Sequence, residues 1–330
     1  MHCGHHIGKM ATIVGQRYIA AMESSATPIG RATLLIVVSA LCFGSISVLT
    51  VLVTRAGVAL LTAMAWRYVL GTALLLGIVG LRQLGSIPKQ RLVQLLLIGG
   101  FGQALITYLS LHALEYIPVG PLAFLFYTYP AWVAVLAAVR RTERLTPMRV
   151  IALILALVGV TVMVGAPSSD KLNPIGVILA LASALLYSAY LPSLEHLQQG
   201  IPALVSTLLL VAGAAVTFVI AALIAGELNV PTSGSVWSNI LVLALVSTVV
   251  AFSTLIKGLS VLGPVRTSII ATVEPFFTAI LSMTVLGNRL TVSTIVGGIL
   301  VVAAVLLVQG SSTQLDTTAW GRVVDGARPR

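Results

Sequence analysis

Charge is what this sequence has least of. Only 8% of its 330 residues are charged, against roughly 25% in a soluble globular domain. So few charges cannot cover a folded surface in water, and 58% of the residues are hydrophobic. A soluble enzyme or binding module is thereby excluded, and a chain embedded mostly in a lipid bilayer is implied. Cysteine is nearly absent as well. Cys3 and Cys42 supply neither a disulfide framework nor metal-ligand spacing. Aspartate is confined to Asp170, Asp316 and Asp325, all outside the apolar runs, so the clustered aspartates that prenyl transfer needs for magnesium-diphosphate are missing. No HExxH motif, paired-aspartate site or Ser/His pair suggests intramembrane proteolysis, and no Walker A sequence occurs. "GGFG" at 99–102 lacks the GKS/T ending of a phosphate loop and lies in an apolar run, where small residues permit close helix packing. A membrane enzyme therefore shows no chemistry here. No cofactor or metal is expected, and energy for work must come from a gradient or from the solute itself.

The charge that is present is mostly positive, with a net of +10. In a soluble protein that would raise nucleic acid as a partner. In a membrane protein, lysine and arginine gather in cytoplasmic loops, so no nucleic acid partner is expected. Apolar runs of spanning length follow one another near 32–53, 58–81, 92–113, 119–138, 149–166, 174–194, 202–225, 237–257, 264–286 and 291–309. Each is long enough to cross about 30 Å of hydrocarbon as a helix. The short alternating runs of a β-barrel are absent. The expected fold is an all-α membrane protein of ten transmembrane helices. With the N-terminus placed in the cytoplasm, 15 of the 19 lysines and arginines fall in inside segments; Arg55, Lys171 and Arg289 fall outside, and Arg67 lies within a span. Both termini should then be cytoplasmic, which fits a bacterial inner membrane. Residues 1–31 and 310–330 read as tails. The first holds no apolar run long enough for a cleavable signal, and Met22 is a second candidate start. His2, Cys3, His5 and His6 belong to that tail, which is expected to be loose and not a metal site.

The chain also repeats itself. Residues 107–165 lie over 252–310 with a constant shift of 145, which brings "ERLT" at 143–146 onto "NRLT" at 288–291, Pro130 onto Pro275 and Leu114 onto Leu259. Earlier in each half, "SALCF" at 39–43 lies over "SALLY" at 183–187 with a shift of 144. The two repeats cover 32–166 and 174–309, with five spans each. Five is odd, so the second repeat enters the membrane from the opposite side. An inverted-topology repeat places a central site near the bilayer midplane and favours alternating access over a channel.

An arginine in the second span, "AWRYVLGTALLL" (65–76), joins a proline-bearing fourth span and a polar turn in each half: "LFYTYPAWVAVLAAVRRTERLT" (125–146) and "ATVEPFFTAILSMTVLGNRLT" (271–291). On these features the chain resembles the drug/metabolite transporter superfamily, in its ten-helix EamA-type branch. The turn usually carries Gly-Glu; here the first half has Thr142-Glu143 and the second Gly287-Asn288. The resemblance implies movement of small metabolites without ATP and leaves the substrate open.

Glu274 lies about eleven residues into the ninth span, near the bilayer centre. A charge there costs about 2.5–3.5 kcal/mol on insertion scales. Protonation, pairing or a wet cavity relieves that cost. Glu274 is thus the leading candidate for proton coupling or for binding a substrate amine, with a structural, hydrogen-bonded glutamate as the alternative. Pro275 has no N–H, so a helix carried through it would leave the Ala271 carbonyl without its partner. Pro275 and its repeat mate Pro130 are candidate break or gating points. Tyr129 replaces the carboxylate in the other half and could stack on or hydrogen-bond the solute. Arg67 is either a counter-ion for Glu274, a clamp on a substrate carboxylate, or a snorkelling side chain; its repeat mate is Val211. Trp66, Tyr68, Phe43 and Tyr187 are secondary cavity candidates. His112, Glu115, Lys257 and Trp237 sit at span ends and read as anchors.

A carboxylate and an arginine in one cavity would suit a zwitterion, so the expected partner is a small-molecule substrate, with the lipid bilayer as surroundings and protons as the coupling ion. Efflux of amino acids or related compounds is the first reading. Broad export of cationic or lipophilic compounds is the other. No extramembrane domain large enough for a receptor or scaffold is present, and no feature specifies an oligomeric state.

Overall fold

In the computed structural model, residues 28–113, 115–117, 119–142, 145–164, 173–287 and 291–308 are described. Leu114, Pro118, Glu143, Arg144, Asn288, Arg289, Leu290 and residues 1–27, 165–172 and 309–330 lie outside them, and with them parts of the ERLT and NRLT match and of the tails. All regular structure among the described residues is helical. The helices are α1 (Pro28–Arg55), α2 (Leu60–Val79), α3 (Lys89–Leu97), α4 (Gln103–Ala113), α5 (Val119–Phe126), α6 (Tyr129–Val139), α7 (Pro147–Val164), α8 (Pro174–Gln198), α9 (Ala203–Ile224), α10 (Gly234–Ala244), α11 (Ala251–Ala271), α12 (Glu274–Leu286) and α13 (Val292–Val308). A short 3-10 turn covers Leu81–Ser86. α3 runs into α4, and α10 into α11, through the π turns Ile98–Gly102 and Leu245–Val250.

Seven helical stretches are long and apolar enough to cross a membrane, and Pro147–Met163, Glu274–Leu286 and Val292–Val308 are shorter apolar helices. The outward faces are apolar too: Ile178, Ile224 and Ile299 are exposed. Side chains of that kind on every flank need hydrocarbon around them. The first helix is described from Pro28, a few residues before the apolar run that starts near 32. The longest stretch, Gly234–Ala271, bends at Gly263, whose φ of 75° and ψ of 170° interrupt the helix just before Pro264.

The two halves exchange their packing. α1 lies along α11 and α12, while α8 lies along α4, α5 and α6. α2 pairs with α9. α7 and α13 approach so closely that a Cβ on Gly159 would sit 2.8 Å from the Gly297 carbonyl. Each of these pairings maps onto itself or onto another when the halves are interchanged, as a two-fold relation requires. The "GGFG" stretch forms the first π turn and does pack tightly. A Cβ on Gly100 would lie 2.8 Å from the Gly213 carbonyl, and one on Gly213 would press on the Leu96 carbonyl. Backbone cannot retreat as a flexible side chain can. Gly213→Val is therefore expected to cost about 1–3 kcal/mol by overpacking, read as a lower melting temperature in detergent; an unchanged melting temperature would count against this contact.

Candidate functional site

The site is built where two helices break at the same register. α5 ends at Phe126 and α6 begins at Tyr129; α11 ends at Ala271 and α12 begins at Glu274. The intervening turns, 127–128 and 272–273, are related by the shift of 145. In each, N–H groups bond back three residues: Thr128 to the Leu125 carbonyl, and Thr272 and Val273 to the carbonyls of Ile269 and Ile270. Pro130 and Pro275 thus sit in the first turn of a new helix, not inside a continuous one. Proline is favoured there because that N–H has no helical partner in any case. The break leaves Tyr129 and Glu274 at equivalent places, each opening a helix.

A cavity of about 500 Å³ lies between the halves. Glu274, Tyr129, Arg67, Tyr68, Phe43 and Tyr187 all line it. Its other lining includes Thr50, Val51 and Leu60, beside the 56–59 turn, so it extends toward that end of the bundle. Trp66 is not part of it. One residue along α2 from Arg67, it turns away, donates from Nε1 to the Asn229 carbonyl at 2.9 Å and packs edge-on against Trp237 at 5.1 Å. A second cavity of about 550 Å³ occupies the opposite end, beside Arg140, Glu195, His196 and Gly263. It holds no carboxylate at a helix break, and its ionisable groups sit at helix ends, so the first cavity is the candidate site.

Glu274 is partly exposed there. The Tyr127 hydroxyl faces its carboxyl as a hydrogen-bond donor, and Tyr129 and Tyr187 lie within electrostatic reach. These rings form one aromatic floor. Tyr129 meets Tyr187 edge-on at 4.7 Å, and Phe126 lies 5.6 Å from both. The Tyr129 hydroxyl is 3.4 Å from the Ser268 carbonyl. Gly44 lets α1 back this floor: a Cβ there would lie 3.2 Å from the Glu274 carbonyl.

Arg67 is 3% exposed. Its Nε donates to Thr248 Oγ1 at 2.7 Å, and its Nη2 donates to the Ser247 carbonyl at 2.7 Å. Nη1 is 3.7 Å from Met64 Sδ, and the guanidinium carbon lies 5.0 Å from the Tyr68 ring centre. Both acceptors belong to the second π turn. Thr248 Oγ1 in turn donates to the Leu243 carbonyl five residues back, and Ser45 Oγ bonds Ser247 Oγ at 2.7 Å. His112 Nδ1 lies 3.2 Å from Glu115 Oε1 at the end of α4. Arg67 and Glu274 share a cavity without being paired.

Sequence reasoning missed Tyr127, Tyr190, Ser247 and Thr248. The tyrosines carried a signal: "YTY" at 127–129 straddles the break, and Tyr187 and Tyr190 fall three apart on one helix face. The π-turn residues carried none.

A family model described as the EamA-like transporter family matches residues 30–165 and again residues 174–309. Comparison with curated proteins returns no match. Among solved structures, one titled "Crystal structure of protein" has a similar fold, with a TM-score of 0.73 and 20% identity over 87% of this chain and 99% of that one.

Proposed function

The chain belongs to the EamA-like transporter family, and from that premise we propose that it exports amino acids or related amino compounds as a secondary transporter working by alternating access. The family is one of transporters of small solutes, and the chain is an integral membrane protein with two repeats. Seven long apolar helices and three shorter ones support the reading of ten crossings. The exchanged packing of the halves supports an inverted relation between them, and the bias of basic residues supports cytoplasmic termini in a bacterial inner membrane.

One observation carries the reading. Glu274, a partly exposed carboxylate, opens a helix at a break that lines a cavity between the two halves. A break frees backbone and lets the flanking segments tilt, which suits a gate. A carboxyl at that point can hold an amine in one conformation and a proton in the other, so proton entry drives solute exit. The test is untargeted metabolite profiling of cells with and without the chain. Amino compounds should accumulate outside the expressing cells. Identical profiles would overturn the export reading.

A further inference from the structure

We propose that this site reads its solute by the ammonium group alone, so that organic amines without a carboxylate are the preferred substrates and Arg67 is a strut that does not contact them. This rests on the transport reading above and, within its amino compounds, moves the preference from amino acids to amines without a carboxylate. Two charged side chains line the cavity, and they are not equally available. Arg67 is buried, and each of its three nitrogens already has a neighbour: Thr248 Oγ1, the Ser247 carbonyl and Met64 Sδ. Its charge is met by those oxygens and by the Tyr68 ring. At 3% exposure Arg67 offers a solute carboxylate little surface, in a site whose other ionisable group is Glu274.

Glu274 is partly exposed and lies on an aromatic floor. Tyrosine and phenylalanine faces attract cations, most strongly when water is excluded. Tyr187 and Phe126, both partly exposed, present such rings 5.6 Å apart, beside a carboxyl that can supply the counter-charge. Carboxylate plus aromatic surface is the chemistry that holds an organic ammonium. Much of the remaining wall is apolar, with Ile46, Val51, Leu60 and Ile106, and the volume of about 500 Å³ falls within the usual ~300–1,000 Å³ of small-molecule sites. The favoured solute is therefore an amine on a hydrocarbon or aryl body.

The test compares three probes that share one body: phenethylamine, phenylalanine and 3-phenylpropionate. Binding is measured by calorimetry on the full chain in lipid nanodiscs. Phenethylamine should bind tightest, phenylalanine about tenfold weaker, since its added carboxylate meets neutral donors such as Gln103 and Thr107 but no freely exposed cation, and 3-phenylpropionate below detection. Tyr187→Leu should weaken phenethylamine about tenfold, while Tyr187→Phe, which keeps a ring face, should stay within about twofold. Phenylalanine binding as tightly as phenethylamine, or tighter, would overturn the proposal and make Arg67 a carboxylate ligand. So would failure of the wild type to bind phenethylamine. Neither outcome touches the transport reading, which the metabolite profiles decide separately.

Discussion

Glu274→Gln should abolish most net export while leaving the folded protein intact. Glutamine matches the shape of glutamate, and its carbonyl can still accept from the Tyr127 hydroxyl. Glu274 makes no ion pair with a described residue, so its neutralisation strands no buried cation. What disappears is the full charge that faces the solute. A hydrogen bond to a charged group contributes about 1.5–3 kcal/mol, and each 1.4 kcal/mol is a factor of about ten. The expected loss is therefore about 10- to 100-fold in export rate at subsaturating solute. Glutamine also cannot take up the returning proton, so whatever export remains should no longer respond to the proton gradient. Efflux is compared at matched membrane levels, with and without a protonophore. Export at the wild-type rate, still sensitive to the protonophore, would return Glu274 to a structural role. Tyr127→Phe should act in the same direction but more weakly, because it removes one neutral donor and no charge.

Much of this architecture is legible in the sequence because the bilayer imposes a coarse rule. A run of about 20 apolar residues has few options besides a helix, so the positions of the helices follow from composition. The two breaks are also legible, since Pro130 and Pro275 declare themselves by residue type and fall in one register. Their local form was less visible. A proline alone does not say whether it kinks a helix or starts one, and here the turns at 127–128 and 272–273 make it a start. The π turns were not legible at all. "LVSTVV" at 245–250 has the composition of an ordinary apolar helix, and the widened turn is fixed by partners far away in sequence. Arg67 stood out as a lone buried cation, yet its acceptors lie about 180 residues later, where nothing but an ordinary serine and threonine is written.

Arg67→Ala should destabilise the folded chain by about 3 kcal/mol. Deleting the guanidinium leaves the carbonyl of the buried Ser247 without its charged donor. An unsatisfied buried acceptor costs about 1–3 kcal/mol, and the emptied volume adds a cavity cost. Relief of burying a charge works in the opposite direction. That relief is limited, because the two short bonds and the Tyr68 ring already offset much of the desolvation. Gly71 shows how closely this seam is fitted: a Cβ there, one turn along α2, would lie 3.1 Å from Thr248 Cγ2. α2 and the α10–α11 stretch cannot slide together to fill the gap without moving the π turn itself. In a thermal melt in detergent the midpoint should fall on the order of 5–10 °C. Arg67→Lys should recover less than half of that loss, since a single ammonium cannot reproduce the planar fork that reaches Thr248 Oγ1 and the Ser247 carbonyl together. If Arg67→Ala melts as the wild type does but loses solute binding, the guanidinium is a ligand and the strut assignment fails. If it melts early while the folded fraction still binds phenethylamine with wild-type affinity, the two charged residues of the cavity have separate tasks: one fixes the second π turn, and the other holds the solute.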